Sequence, residues 1–111
     1  MDKFPKRGEV YWANLDPTVG SEINKKRPCL IISNDEGNEV SSRVGVAAIT
    51  STCKALYPFH VKIFMNKKEG RVLLNQIRTI DKQRLGKKIT SLDSETMLQV
   101  DRAIKIYLSL T

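Results

Sequence analysis

Residues Arg71 to Ile80 read RVLLNQIRTI, ten positions without a glycine or proline. The stretch predicts the longest strand of the chain, with Val72, Leu74, Gln76, Arg78 and Ile80 on one face and Leu73, Asn75, Ile77 and Thr79 on the other. Just before it, Asn66 to Gly70 (NKKEG) reads as a hairpin-like turn. Before that, Phe59 to Ile63 alternates, with Phe59, Val61 and Ile63 inward and His60 and Lys62 outward. Further towards the N-terminus, Val44 to Thr50 (VGVAAIT) and Pro28 to Ser33 (PCLIIS) are short continuous apolar runs, the pattern of buried strands. Pro28 stands at a strand start, where the missing N–H is tolerated. Glu9 to Leu15 (EVYWANL) is rich in strand-forming residues and is stopped by Asp16-Pro17.

The connections are polar. Thr18 to Lys26 (TVGSEINKK) reads as an exposed loop, and Asn34 to Ser42 (NDEGNEVSS) as a turn region with room for one helical turn. After the long strand, Asp81 to Leu85 predicts a short helical segment ending near Gly86. The chain then ends in a helix capped by Ser91 or Asp93, with Asp93 and Glu95 at the positive end of its dipole. Met97, Val100, Ile104, Tyr107 and Leu108 form its apolar stripe. Five short antiparallel strands and a closing helix predict a mainly β, α+β fold built as a small barrel, a single domain over residues 1–111.

Composition narrows the function classes. No apolar stretch is long enough to span a bilayer, and the first residues lack the apolar core of a signal peptide, so a cytoplasmic protein with no membrane partner is expected. The two cysteines, Cys29 and Cys53, lie in apolar runs and read as reduced core residues. Nineteen Lys and Arg against twelve Asp and Glu give a net charge of +7, which suits a nucleic acid or an acidic protein and also serves plain solubility.

Familiar catalytic constellations are missing. His60 is the only histidine, which excludes a paired-histidine ribonuclease mechanism; on an outward strand face it reads as a solvated side chain. No Cys/His cluster has metal-ligand spacing, and no phosphate loop or dinucleotide fingerprint occurs, so no metal and no cofactor is expected. What remains is polar chemistry at strand ends, where a rigid scaffold presents side chains at its rim. Lys25-Lys26-Arg27-Pro28 sits where the loop enters a buried strand, and Arg27 can grip a phosphate in bidentate fashion. Thr50-Ser51-Thr52 ends another strand with three hydroxyls. Composition alone favours a solvated basic turn and a plain strand end. Exposed aromatics for base stacking are sparse, only Tyr57 and Phe59 near one loop.

A wider pattern shifts that balance. Arg7 to Asp35 (RGEVYWANLDPTVGSEINKKRPCLIISND), Val46 to Thr50 (VAAIT) and Val72 to Ile89 (VLLNQIRTIDKQRLGKKI) resemble, in order and spacing, the signatures of the MazF/PemK family of messenger-RNA interferase toxins. The resemblance runs over about residues 7 to 108. It implies an SH3-like barrel with a C-terminal α-helix, working as a homodimer. It implies that Arg27 of the R-P pair is catalytic and that Thr50, closing the A-I-T strand, is its partner. The loop before Arg27 is then the RNA contact: Thr18, Ser21, Glu22, Asn24, Lys25 and Lys26, with Ser21 foremost. Ser51 and Thr52 in the segment running to Pro58 join the reading of bases, and Gln76 and Arg78 are further candidates for the same groove.

The activity this implies is metal-independent, sequence-specific endoribonuclease cleavage of single-stranded RNA. The products are a 2′,3′-cyclic phosphate and a 5′-hydroxyl, and a cognate acidic antitoxin inhibits. RNA carries its own nucleophile, the 2′-hydroxyl, so alignment and charge stabilisation suffice. Unpaired bases are readable on their edges, and an acidic, partly disordered antitoxin segment would fold into the same groove. Arginine side chains stay protonated in water, so proton abstraction from the 2′-hydroxyl has no assigned group. The alternatives are a CcdB-like toxin that binds and poisons DNA gyrase, and a simple nucleic-acid-binding barrel; fold alone does not separate them.

Overall fold

The computed structural model describes residues 4–23, 25–51 and 56–110; Asn24, Thr52 and Cys53 lie outside the described residues. In chain order the elements are β1 (Glu9–Asn14), β2 (Lys26–Ile31), α1 (Asp35–Val40), β3 (Arg43–Thr50), β4 (His60–Met65), β5 (Lys68–Asp81), β6 (Leu85–Ser91) and α2 (Ser94–Tyr107). The six strands form one antiparallel sheet in the order β4-β5-β3-β2-β1-β6, curled into a half-barrel with α2 against it.

Period-two alternation sorts the sheet's side chains onto two faces, and both bury apolar surface. Val10, Leu30, Ala47, Ile49, Val61, Ile63, Val72 and Leu74 pack with Val100 and Ala103 of α2. Ala13, Leu15, Cys29, Ile31, Val44, Val46, Ala48 and Ile80 form the second cluster. β2 and β3 feed both, which is why they read as continuous apolar runs rather than as clean alternations.

Four expectations need correction. First, the chain has a sixth strand where none was predicted. Asp81 caps a single 3-10 turn at Lys82–Arg84 as expected, but the backbone then continues through Gly86 as β6, paired with β1. Its GKKITS sequence is polar because it is an edge strand.

Second, β5 does not keep one face throughout. Its register against β3 pairs Ala47 with Ile77 and then Ile49 with Val72, so five positions of β5 are spanned by two of β3. This bulge moves Val72 and Leu74 to the helix-side cluster while Ile80 joins the other. Third, the stripe of α2 is shorter than expected. Val100 and Ala103 are buried and Met97 and Ile104 pack beside them, but Tyr107 and Leu108 are 44% and 51% exposed. The cap is Asp93, whose side chain accepts from the Thr96 amide at 2.7 Å. Fourth, His60 is half-buried, edge-on to Phe59 and Tyr57 with ring centroids 5.0 and 5.4 Å away.

The β4–β5 turn carries a removable strain. Met65 pairs with Lys68, and the two residues between them, Asn66 and Lys67, have φ of 52° and 66°. That is the left-handed pair a two-residue hairpin needs, and it favours Asn-Gly over Asn-Lys. Lys67→Gly removes a Cβ penalty of about 1 kcal/mol, partly offset by the greater freedom of unfolded glycine. The expected result is a melting temperature higher by about 2–6 °C. A fall in melting temperature would refute the strain.

A charged network ties β1 to β6. Lys88 Nζ lies 2.8 Å from Glu9 Oε2, and Glu9 Oε1 accepts from the Lys6 amide at 2.7 Å and the Tyr11 hydroxyl at 2.9 Å. Burial opposes the Glu9 charge, yet Lys88, the Lys6 amide and Tyr11 together hold its pKa below the usual carboxylate range. A carboxylate depressed in the folded state stabilises above its unfolded pKa, and the gain is lost as pH falls through the folded value. Glu9→Gln should therefore cost about 1–2 kcal/mol at neutral pH. The gap from the parent should narrow in melts at about pH 3, below the ordinary Glu range. An equal gap at both pH values would rule the network out as its source.

Candidate active site

The end of the sheet where β2 starts, β3 stops and the β4–β5 hairpin turns is where the second face changes from apolar to polar. Cys29 opposes Ala48 across β2 and β3, and continuing that register two steps sets Arg27 opposite Thr50. Thr50 in turn opposes Arg71 of β5, and Arg71 opposes Lys62 of β4. Residues directly opposite in an antiparallel sheet share a face and stand about 5 Å apart. Arg27, Thr50, Arg71 and Lys62 therefore form one cross-strand row, continuing the line on which Cys29 and Ala48 are buried.

A groove of about 460 Å³ opens at this rim. Arg27 and Thr50 both line it, with Lys26, Ser51, Trp12 and Glu69. The structure thus brings together the arginine and threonine singled out in the sequence, two of their flanking candidates, and two residues that sequence reading missed. Glu69 is the one carboxylate among the described lining residues. It pairs with Arg71, and Lys62 Nζ lies 3.5 Å from it. The Arg71 hydrogen bond, with help from Lys62, holds its pKa below the usual range. Paired with two cations, Glu69 leaves no net negative charge on the hairpin wall.

The remaining candidates belong to the loop between β1 and β2. Thr18 is half-buried, and Ser21, Glu22, Lys25 and Lys26 are exposed. The Glu22 carboxylate accepts from the Val19 amide at 2.7 Å, so it shapes its own loop. Lys25 has φ 65°, and its amide donates to Asp16 Oδ1 at 3.0 Å, turning the chain into β2. Gln76 and Arg78 do not line the Arg27–Thr50 groove. Gln76 Oε1 accepts from the Ile23 amide at 3.4 Å, and Arg78 Nη1 donates to the Leu15 carbonyl at 2.6 Å. Both hold the base of the loop, because the bulge in β5 points them to that side of the sheet.

Other reactive groups are quiet. Burial pushes the Cys29 thiol up to about 12, against a smaller opposing pull from Arg78, so it stays a thiol at neutral pH. Burial, reinforced by Glu9, raises the Tyr11 hydroxyl to about 12. Among the described residues no group of three or more His, Cys, Asp or Glu is arranged to hold a metal ion, and no helix is long and apolar enough to cross a membrane. The arrangement offers cations and hydroxyl donors for a phosphate, in an open groove that suits an extended polyanion.

Comparison with known proteins agrees. Residues 6–108 match the sequence profile described as PemK-like, MazF-like toxin of type II toxin-antitoxin system. The chain is 52% identical over 110 residues to Endoribonuclease EndoA of Bacillus subtilis (strain 168), covering 95% of each chain. It is 48% identical over 110 residues to Endoribonuclease MazF of Staphylococcus epidermidis, covering 95% of this chain and 92% of that one. Among solved structures, MazF from Deinococcus radiodurans superposes with a TM-score of 0.86 at 26% identity, over 98% of this chain and 100% of that one. A mycobacterial endoribonuclease in complex with its cognate antitoxin gives 0.82 at 27% identity, over 96% and 97%. The fold, the rim carrying Arg27 and Thr50, and the near full-length match together make this chain a member of the PemK/MazF-like toxin family.

Proposed function

We propose that this chain is an endoribonuclease toxin of a toxin–antitoxin system, a messenger-RNA interferase that cuts single-stranded RNA and is restrained by a cognate antitoxin. The observation that carries the reading is the convergence of Arg27 and Thr50 on one groove at the rim of the sheet, in a chain about half identical to proteins named endoribonucleases. The 2′-hydroxyl attacks the adjacent phosphorus, the bond from phosphorus to the 5′-oxygen breaks, and the proton lost from the 2′-oxygen is balanced by one gained at the 5′-oxygen. A 2′,3′-cyclic phosphate and a 5′-hydroxyl result. Arg27 spans two non-bridging oxygens and holds the charge that builds on the phosphorane, while Thr50 donates a hydrogen bond to the same group. No metal enters these steps.

Base reading falls to the loop from Thr18 to Lys26, including Ser21, Glu22 and Asn24, and to Ser51 and Thr52. Gln76 and Arg78 act by fixing that loop. The net charge of +7 serves RNA and an acidic antitoxin segment alike. A cytoplasmic homodimer completes the reading: Leu98, Ile106, Leu108 and Leu110 are 48–63% exposed on and just beyond α2, surface that a second copy can cover. The gyrase-poisoning and plain-binding readings leave the convergence of Arg27 and Thr50 without a use.

The test incubates the purified protein, with EDTA present, with a long single-stranded RNA and with the matching DNA, and maps the ends. Discrete RNA cuts with 5′-hydroxyl ends and intact DNA are expected. Uncut RNA across a long, varied sequence would overturn the reading.

A further inference from the structure

A second, larger groove adjoins the first. It measures about 810 Å³ and lies between β1 and the 3-10 turn leading into β6. Trp12 and Lys26 line both grooves and so form the ridge between them. Trp12 is the only tryptophan of the chain, stands on the strand next to Arg27 in register space, and is 45% exposed. A large ring left that exposed on a strand is stacking surface looking for a flat partner.

The walls of the second groove divide the remaining roles. Arg84 is committed to the scaffold, donating to the Asn14 and Asp16 carbonyls at 3.1 and 2.5 Å. Lys26 and Lys87 are exposed and supply positive charge at the rim. The carboxylates of Asp16 and Asp81 each accept one backbone amide, at 3.0 and 2.8 Å, which leaves acceptor capacity for the amino groups of a base. Cations at the edge, acceptors on the walls and an aromatic ring on the divide match the backbone, base edges and base faces of a nucleotide.

We infer that this second groove binds the ribonucleotides flanking the scissile bond, and that Trp12 stacks on a base where the strand crosses from one groove to the other. The inference rests on the ribonuclease reading above and extends it from the cut bond to the neighbouring chain. An extended substrate must leave the Arg27 groove somewhere, and the Trp12–Lys26 ridge opens directly into a polar groove of a volume ordinary for ligand sites.

The single tryptophan supplies the readout. A cleavable RNA establishes the ribonuclease reading separately, by turnover. Binding is then followed by Trp12 fluorescence with RNAs that carry a 2′-deoxy sugar at the cut position, one limited to the scissile dinucleotide and others extended by three nucleotides on either side. Quenching with an extended RNA, at least about fivefold tighter than the dinucleotide, is expected. Trp12→Ala should remove that gain as read by a fluorescent label on the RNA, and Trp12→Phe should restore most of it. Lys87→Glu, whose side chain lines only the second groove, should shrink the long-to-short affinity ratio. Equal affinities for long and short RNA, or a length effect untouched by both Trp12→Ala and Lys87→Glu, would overturn the inference. So would quenching by an acidic polypeptide with none by RNA, even if the protein still cuts RNA.

Discussion

Arg27→Ala is expected to lower kcat/KM for RNA cleavage by about 10³-fold or more while the protein still folds. Guanidinium groups that meet developing phosphoryl charge carry effects of that size, and a thousandfold loss is about 4 kcal/mol of transition-state stabilisation. The fold should survive because Arg27 sits at the rim, two positions outside the buried Cys29. Arg27→Lys keeps the charge but loses the planar fork, so it should recover little. Thr50→Val keeps the strand and removes the hydroxyl; about 10²-fold is expected, the range for one lost donor. Circular dichroism and melting curves next to single-turnover rates check all three. An Arg27→Ala variant with parental rates would remove Arg27 from the chemistry.

A single 2′-deoxy substitution on the 5′ side of the scissile phosphate should abolish the cut altogether, by at least about 10⁵-fold, because it deletes an intramolecular nucleophile. Affinity should change little, since the phosphate, bases and flanking sugars remain. The modified RNA should therefore inhibit cleavage of the natural one. Cleavage that persists at the modified position would mean that water is the nucleophile, and the role given to Arg27 would have to be recast for hydrolysis.

Much of the scaffold was legible because its strands are short and strongly patterned. β1, β2, β3 and β4 fall where alternation or apolar runs place them. β6 was not legible: Gly86, Lys87 and Lys88 carry no apolar signal, and only its pairing with β1 makes it a strand. The bulge in β5 was invisible for a related reason. Period-two alternation assumes an unbroken ladder and groups Gln76 and Arg78 with Val72 and Leu74, whereas the extra residues turn them to the loop.

Of the site, Arg27 and Thr50 came from family resemblance, and composition gave them no privilege. Their meeting depends on register between β2 and β3, a long-range quantity that a linear pattern does not encode. In the sequence Trp12 is one more strand former; its exposure depends on lying between two grooves. Glu69 looked like part of a turn, and only the cross-strand row of Arg71 and Lys62 gives its charge a place.

The way the β1–β2 loop is held has a consequence for how such a protein changes over generations. Gln76 bonds the Ile23 amide, Arg78 the Leu15 carbonyl, and Arg84 the carbonyls of Asn14 and Asp16. Each anchor grips main chain, which is the same whatever side chain follows. On the proposed reading, substitutions at Thr18, Ser21 or Lys25 alter which bases are preferred without loosening the tether, and the RNA-cleaving rim at Arg27 and Thr50 stays put. On that reading selectivity and catalysis are mechanically uncoupled, and new target preferences are reached one loop residue at a time with the tether intact.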